Sequence, residues 1–242
     1  MKKYGYLAFI FLLLGCDSST GKEIAKIPEA SGIGYCENTD TFIVANDEGS
    51  YYELSTKGKI LQKVKLGKYD LEGVACEDEI LIFVREDKGL VLVDRETGKK
   101  QKIHVNTIYN GKKHKLFDKK EGIEGIAKVG NLLYLSKQNK KKEHSFIAVV
   151  QMKPYPSRII DIIEHDMMDV AGLSYRNGLL TMVSDKEDLL IQYNLKKKKI
   201  VKKVPLQQGA WEGIDFDRKG HVYLCDDNGR VMKFKKKIFG LH

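Results

Sequence analysis

The hydrophobic positions of this chain fall in short bursts. Runs of five or six apolar, β-branched and aromatic residues recur, bounded by Gly, Asn and Asp, and no stretch carries a convincing helical period. Five of these bursts open on related segments: Ala30-Ser31-Gly32-Ile33-Gly34-Tyr35, Leu71-Glu72-Gly73-Val74-Ala75-Cys76, Ile123-Glu124-Gly125-Ile126-Ala127-Lys128, Val170-Ala171-Gly172-Leu173-Ser174-Tyr175 and Trp211-Glu212-Gly213-Ile214-Asp215-Phe216. Aligned on Gly32, Gly73, Gly125, Gly172 and Gly213, they stand 41, 52, 47 and 41 residues apart. Each is followed by a second strand-like run (Thr41–Ala45, Ile80–Val84, Leu132–Ser136, Leu179–Ser184, His221–Cys225) and a third (Tyr51–Ser55, Gly89–Asp94, Ser145–Gln151, Leu189–Asn194, Arg230–Phe234). A more polar fourth run closes four of the units: Lys59–Leu66, Lys100–Val105, Ser157–Ile163 and Ile200–Leu206.

Four short antiparallel strands per repeat of this length predict an all-β fold, a β-propeller of five four-stranded blades. The fifth unit lacks a fourth strand, and Lys22–Ile27 supplies one of the right kind, so the N-terminal strand is expected to complete the last blade and close the ring. Six blades are the alternative if Ile108–Lys120 hides a degenerate unit, but that insert is short and reads as a loop.

Propeller geometry then collects chemistry. The first strand of each blade lines the channel, and the second runs back to the face where the first began. The residues before the glycines (Ser31, Glu72, Glu124, Ala171, Glu212) and the ends of the second strands therefore meet at one mouth. This predicts an acidic ring of Glu72, Glu124 and Glu212, with Asp47, Asp185 and Asp226 next to it and Glu29 within reach. Crowded carboxylates raise one another's pKa unless a cation sits among them. Oxygen donors suit Ca²⁺ first, with Mg²⁺ or Mn²⁺ as alternatives, and the six histidines show no zinc spacing. A purely structural role is equally open: each Glu would bond backbone N–H groups of the next blade and lock the ring.

Composition places the object. The 242 residues are 42% hydrophobic and 31% charged with 4 Cys, which excludes disordered, collagen-like and disulfide-dense chains. The net charge of +9 lies in scattered Lys runs with almost no Arg and no interleaved aromatics, so it predicts guarded outer strands rather than nucleic-acid binding. Cys36, Cys76 and Cys225 sit in apolar strand contexts and read as buried thiols, although a Cys36–Cys76 bridge is conceivable in an oxidising compartment.

The first sixteen residues, MKKYGYLAFIFLLLGC, join a positive end to an apolar run too short to span a bilayer. Leu13-Leu14-Gly15-Cys16 resembles the bacterial lipobox. The resemblance implies a lipoprotein signal peptide at 1–15, lipidation of Cys16, a tether at 16–21 and a single propeller domain over 22–242. Asp17 resembles an inner-membrane retention signal, which points to the periplasmic face of that membrane, with the outer membrane as alternative. The expected partners are the membrane through its lipid anchor and a small ligand or envelope protein, with the chain itself a monomer.

Glu29-Ala30-Ser31-Gly32, Asn46-Asp47-Glu48, Leu71-Glu72-Gly73-Val74-Ala75 and Trp211-Glu212-Gly213-Ile214-Asp215 resemble the SdiA-regulated (YjiK-like) family over roughly residues 22–236. That family is similar to a wider group of propellers with phytase-like esterases and gluconolactonase-type lactonases. The resemblance implies a divalent metal at the mouth, held by Glu72, Glu124 and Glu212, with Asp47, Asp185 and Asp226 as second candidates. Ala171 departs from a fully acidic ring. Two functions follow. One is a membrane-anchored binding module that holds a cation and presents its mouth to a ligand or protein. The other is a metal-dependent esterase, lactonase or phosphoesterase.

Overall fold

The structure is a computed structural model and describes residues 21–86, 88–139, 141 and 144–240. The proposed signal, Cys16 and Asp17 lie outside the described residues. Blade 1 runs β2 (Ala30–Cys36), β3 (Thr41–Asn46), β4 (Ser50–Ser55) and β5 (Ile60–Lys65). Blade 2 is β6 (Leu71–Glu77), β7 (Ile80–Arg85), β8 (Gly89–Asp94) and β9 (Lys100–Ile103). Blade 3 is β13 (Ile123–Val129), β14 (Leu132–Lys137), β15 (Phe146–Gln151) and β16 (Ser157–Glu164), and blade 4 is β17 (Val170–Arg176), β18 (Leu179–Ser184), β19 (Leu189–Asn194) and β20 (Lys199–Pro205). Blade 5 is β21 (Trp211–Phe216), β22 (Val222–Asp226) and β23 (Arg230–Phe234), completed by β1 (Lys22–Lys26), which pairs antiparallel with β23. The ring is thus a five-bladed propeller closed by its N-terminal strand.

Period-two alternation explains why the middle strands read as continuous apolar runs. Both faces of each blade are covered, so successive side chains enter different interfaces. On β7, Leu81 and Phe83 pack against blade 1, whereas Ile82 and Val84 pack against blade 3. On β3, Ile43 and Ala45 face blade 2, while Phe42 and Val44 face blade 5, where the Phe42 and Tyr223 rings lie 4.0 Å apart. The outer strands β5 and β20 carry exposed Lys side chains, which blunt their free edges.

The insert after blade 2 is more ordered than a loop. β10 (Val105–Asn106) pairs parallel with β16, adding a fifth strand to blade 3, and β11 (Ile108–Tyr109) forms a minimal hairpin with β12 (Lys112–Lys113). Leu116 then plugs the seam between blades 2 and 3, fully buried. It is no sixth blade.

All five inner strands carry an irregularity at the repeated motif. The register shifts between Ala30 and Gly32, Leu71 and Val74, Ile123 and Ile126, Val170 and Leu173, and Trp211 and Gly213. A bulge bends its strand and re-aims a side chain. Here it leaves the residue before each glycine out of the ladder. The glycines close the ring by backbone approach: a Cβ on Gly125 would lie 2.1 Å from the Ala171 carbonyl oxygen, and one on Gly213 would lie 2.8 Å from the Ile33 nitrogen. Gly125→Ala is therefore expected to lower unfolding stability by about 2 kcal/mol through overpacking. Urea unfolding checks it, and a change under about 0.5 kcal/mol refutes this account of the ring.

The cysteines correct one expectation. Cys36 and Cys76 form a disulfide, with Cα atoms 5.2 Å apart, rather than remaining buried thiols. They follow Gly32 and Gly73 on adjacent inner strands, and the crowding at the axis brings them together. Apolar context alone does not show that proximity. Cys225 remains a buried thiol.

Candidate cation site at the channel mouth

The bulged positions deliver their side chains to the mouth. The Glu72 carboxyl is hydrogen-bonded to that of Glu124, and Glu212 lies close enough to feel Glu124. Burial, reinforced by Glu124, holds Glu72 well above the usual carboxylate range. Burial pushes Glu124 up to about 7, against the lowering effect of its bond with Glu72. Burial likewise raises Glu212 well above its ordinary value, with Glu124, Asp227 and Asp185 adding to it. The geometry brings the three ring glutamates together.

The second-strand ends divide. Asp47 joins the mouth beside Glu29, and burial and that neighbour push it up to about 7. Asp185 also reaches it, raised by burial and by Asp169. Asp226 does not. It is fully buried and held by Arg230, whose backbone N–H and Nε donate to its carboxylate at 2.8 and 2.6 Å. Asp227 faces the mouth instead, raised by burial, Asp226 and Glu29.

Strand register gives the reason. Asn46, Arg85, Lys137, Ser184 and Asp226 are equivalent, each pairing with the residue that opens its inner strand. A step of one residue reverses the facing of a side chain. The next positions are Asp47, Glu86, Gln138, Asp185 and Asp227. The aligned repeats contain this signal, and Asp226 is out of step with it. The same alignment exposes a second set, two residues ahead of the ring position: Glu29, Asp70 and Asp169. Glu29 and Asp169 adopt left-handed backbone with φ of 48° and 50°, a conformation uncommon for residues other than Gly.

Asp70, Glu72 and Glu86 form the tightest corner: one oxygen of each lies within 4.8 Å of the others. This all-oxygen corner can hold a metal ion, and its donors suit a hard cation. Among the described residues no backbone N–H donates to Glu72, Glu124 or Glu212. Beside these positions two hydroxyls tie neighbouring blades: Ser31 Oγ donates to the Leu71 carbonyl at 2.5 Å, and Ser136 Oγ to that of Ala171 at 3.1 Å. The charge is not wholly acidic. The Arg85 guanidinium stacks over Tyr69 at 4.5 Å, and burial lowers the Lys137 ammonium despite the opposing field of Glu121, Asp118 and Glu124.

The channel narrows toward its middle. Below the carboxylates the glycine ring and the side chains of Ile33, Val74, Ile126, Leu173 and Ile214 leave only about 10 Å³ of space. Beyond this constriction lies a basin of about 540 Å³, which the repeat arithmetic of the acidic residues did not predict.

The family model described as SdiA-regulated matches residues 18–235. The chain belongs to the SdiA-regulated family. No curated protein sequence matches this SdiA-regulated chain. Among solved structures it is similar to glutaminyl cyclase of Myxococcus xanthus, at 14% identity with a TM-score of 0.63, covering 88% of this chain and 93% of that one. It is also similar to the WD40 β-propeller domain of Doa1, at 10% identity with a TM-score of 0.56, covering 85% and 78% respectively. At these identities the likeness is one of fold.

Proposed function

We propose that this SdiA-regulated propeller is a lipid-anchored module of the bacterial envelope that takes a divalent cation, Ca²⁺ in the first place, at its acidic mouth. The loaded face then presents a binding surface to a small ligand or envelope protein. The observation that carries this reading is the corner of Asp70, Glu72 and Glu86, with oxygens within 4.8 Å of one another beside Glu124. Carboxylates at such spacing, Glu72 and Glu86 buried and Asp70 exposed, repel when ionised, and a hard cation converts that repulsion into attraction. Among the described residues the buried Oδ1 of Asp47 accepts no hydrogen bond, which supports the same view of an acceptor-rich mouth. The N-terminal Leu13-Leu14-Gly15-Cys16 supports the anchor, and Asp17 the inner-membrane periplasmic face.

The test is thermal unfolding of the full-length protein with EDTA, Ca²⁺, Mg²⁺ or Mn²⁺. A cation at a hundredfold excess over its Kd adds about 2.7 kcal/mol, a rise in Tm of about 5–10 °C for a chain of this size. Glu72→Gln is expected to remove most of that rise. Identical melting curves with every cation and with EDTA would reject the cation site. For the anchor, Cys16→Ser should move the protein from the membrane fraction to the soluble one, and unchanged partitioning would reject lipidation.

A further inference from the structure

The basin beyond the constriction has its charges sorted by blade. Glu37 comes from blade 1 and Glu77 and Asp78 from blade 2, while Lys128 comes from blade 3, Arg176 from blade 4 and Arg218 from blade 5. One arc of the rim is acidic and the other basic, apart from Asp217 of blade 5, whose carboxylate is engaged by His221 and Lys233. Some of these charges are already engaged. Lys128 pairs with Glu77. On the floor, Asp215 accepts from the Ser174 hydroxyl at 2.6 Å and from the backbone N–H groups of Tyr35 at 2.6 Å and Phe216 at 2.8 Å, which staples blades 4, 5 and 1.

Four groups remain available. Arg176 is fixed by main-chain carbonyls, donating from Nη1 to Asp217 at 2.8 Å and from Nη2 to Arg218 at 3.4 Å, and Arg218 donates from Nη2 to the Glu37 carbonyl. Carbonyls orient a guanidinium without neutralising it, and neither Arg forms an ion pair among the described residues. Across the rim, the Asn38 amide orients Asp78 at 2.7 Å, and the Glu37 carboxylate is exposed.

We propose that this basin binds a zwitterionic molecule of amino-acid or short-peptide size, its carboxylate on Arg176 and Arg218 and its ammonium toward Glu37 and Asp78. A ligand of a single sign gains one arc and is repelled by the other, whereas a dipolar one gains both. The volume of about 540 Å³ lies in the range of small-molecule sites. This inference is independent of the cation at the opposite mouth.

Calorimetric titration of the full-length protein with triglycine tests it, alongside N-acetyltriglycine, which lacks the ammonium, and triglycinamide, which lacks the carboxylate. Triglycine is expected to bind saturably, and each neutralised probe about tenfold more weakly. Arg218→Gln should bring triglycine down to the level of triglycinamide, and Glu37→Gln should bring it down to that of N-acetyltriglycine. Both side chains are exposed, and a melting curve verifies that each variant folds. EDTA and Glu124→Gln should leave triglycine binding unchanged, which separates this site from the acidic mouth. Absence of saturable triglycine binding, equal binding of the three probes, or wild-type binding by Arg218→Gln each overturns the proposal.

Discussion

Removing the Cys36–Cys76 bridge is expected to cost about 4 kcal/mol of unfolding stability. The bond closes a loop across a sequence separation of 40. Opening it frees the unfolded chain by a loop-closure entropy worth about that much at 25 °C. It joins the inner strands of neighbouring blades near the axis, so its loss also loosens the seam packed around Phe83, Ile43 and Tyr51. The double variant Cys36→Ser with Cys76→Ser measures the effect without leaving a lone reactive thiol. A drop in Tm of about 8–16 °C corresponds to it for a chain of this size. A fall under about 1 kcal/mol in urea unfolding would mean that strand packing alone already holds the two inner strands in place.

The second large effect is electrostatic. In EDTA the protein is expected to be about 2 kcal/mol more stable at pH 5 than at pH 7.5. The sign follows from the direction of the shifts. Glu124 rises from an ordinary 4.5 to about 7, so the folded state binds more protons than the unfolded one between those values. Its contribution is complete below pH 4.5 and is lost as pH rises through 7. Glu124 alone supplies about 2.5 kcal/mol over the interval, by the conversion of 1.36 kcal/mol per unit. Asp215, raised from 3.8 to about 6, adds about 1.4 kcal/mol by the same conversion, and Glu72 and Glu212 act in the same direction.

One group opposes them. Burial lowers His165 from 6.5 to about 4, so the neutral ring costs stability as pH falls below 6.5. By the same conversion that amounts to about 2 kcal/mol at pH 5. The carboxylates outweigh it. Asp118, lowered to about 2, and Asp217, lowered below its ordinary 3.8, act only at more acidic pH. Urea unfolding at the two pH values checks the balance, and equal or lower stability at pH 5 would sink it. Saturating Ca²⁺ should shrink the difference, because a bound cation favours the ionised carboxylates at pH 7.5.

The sequence carried the architecture through repetition. Each ring glycine marks a place where only backbone fits, so Gly32, Gly73, Gly125, Gly172 and Gly213 announced five inner strands, and the unpaired Lys22–Ile27 announced the closure. The ring glutamates were legible for the same reason. Three other features were hidden by register or by distance. Asp226 and Asp227 differ by a single step, which decides between a buried Arg230 partner and the open mouth. Glu86 comes beside Asp70 and Glu72 only through the antiparallel pairing of Leu71 with Arg85. The basin of Arg176 and Arg218 gathers one residue from each of several blades at the far ends of the inner strands. The charges there change sign from blade to blade, so no repeat betrays them.

The pairing of β1 with β23 has a temporal consequence. β1 must wait for β23, which lies far later in the sequence, before either finds its neighbour. A nascent or truncated product lacking residues beyond about 230 therefore keeps two unsatisfied sheet margins, one at each end of the chain. Completion is a single late event that the whole polypeptide must reach, and quality control has a plain feature by which to tell an unfinished copy from a finished one.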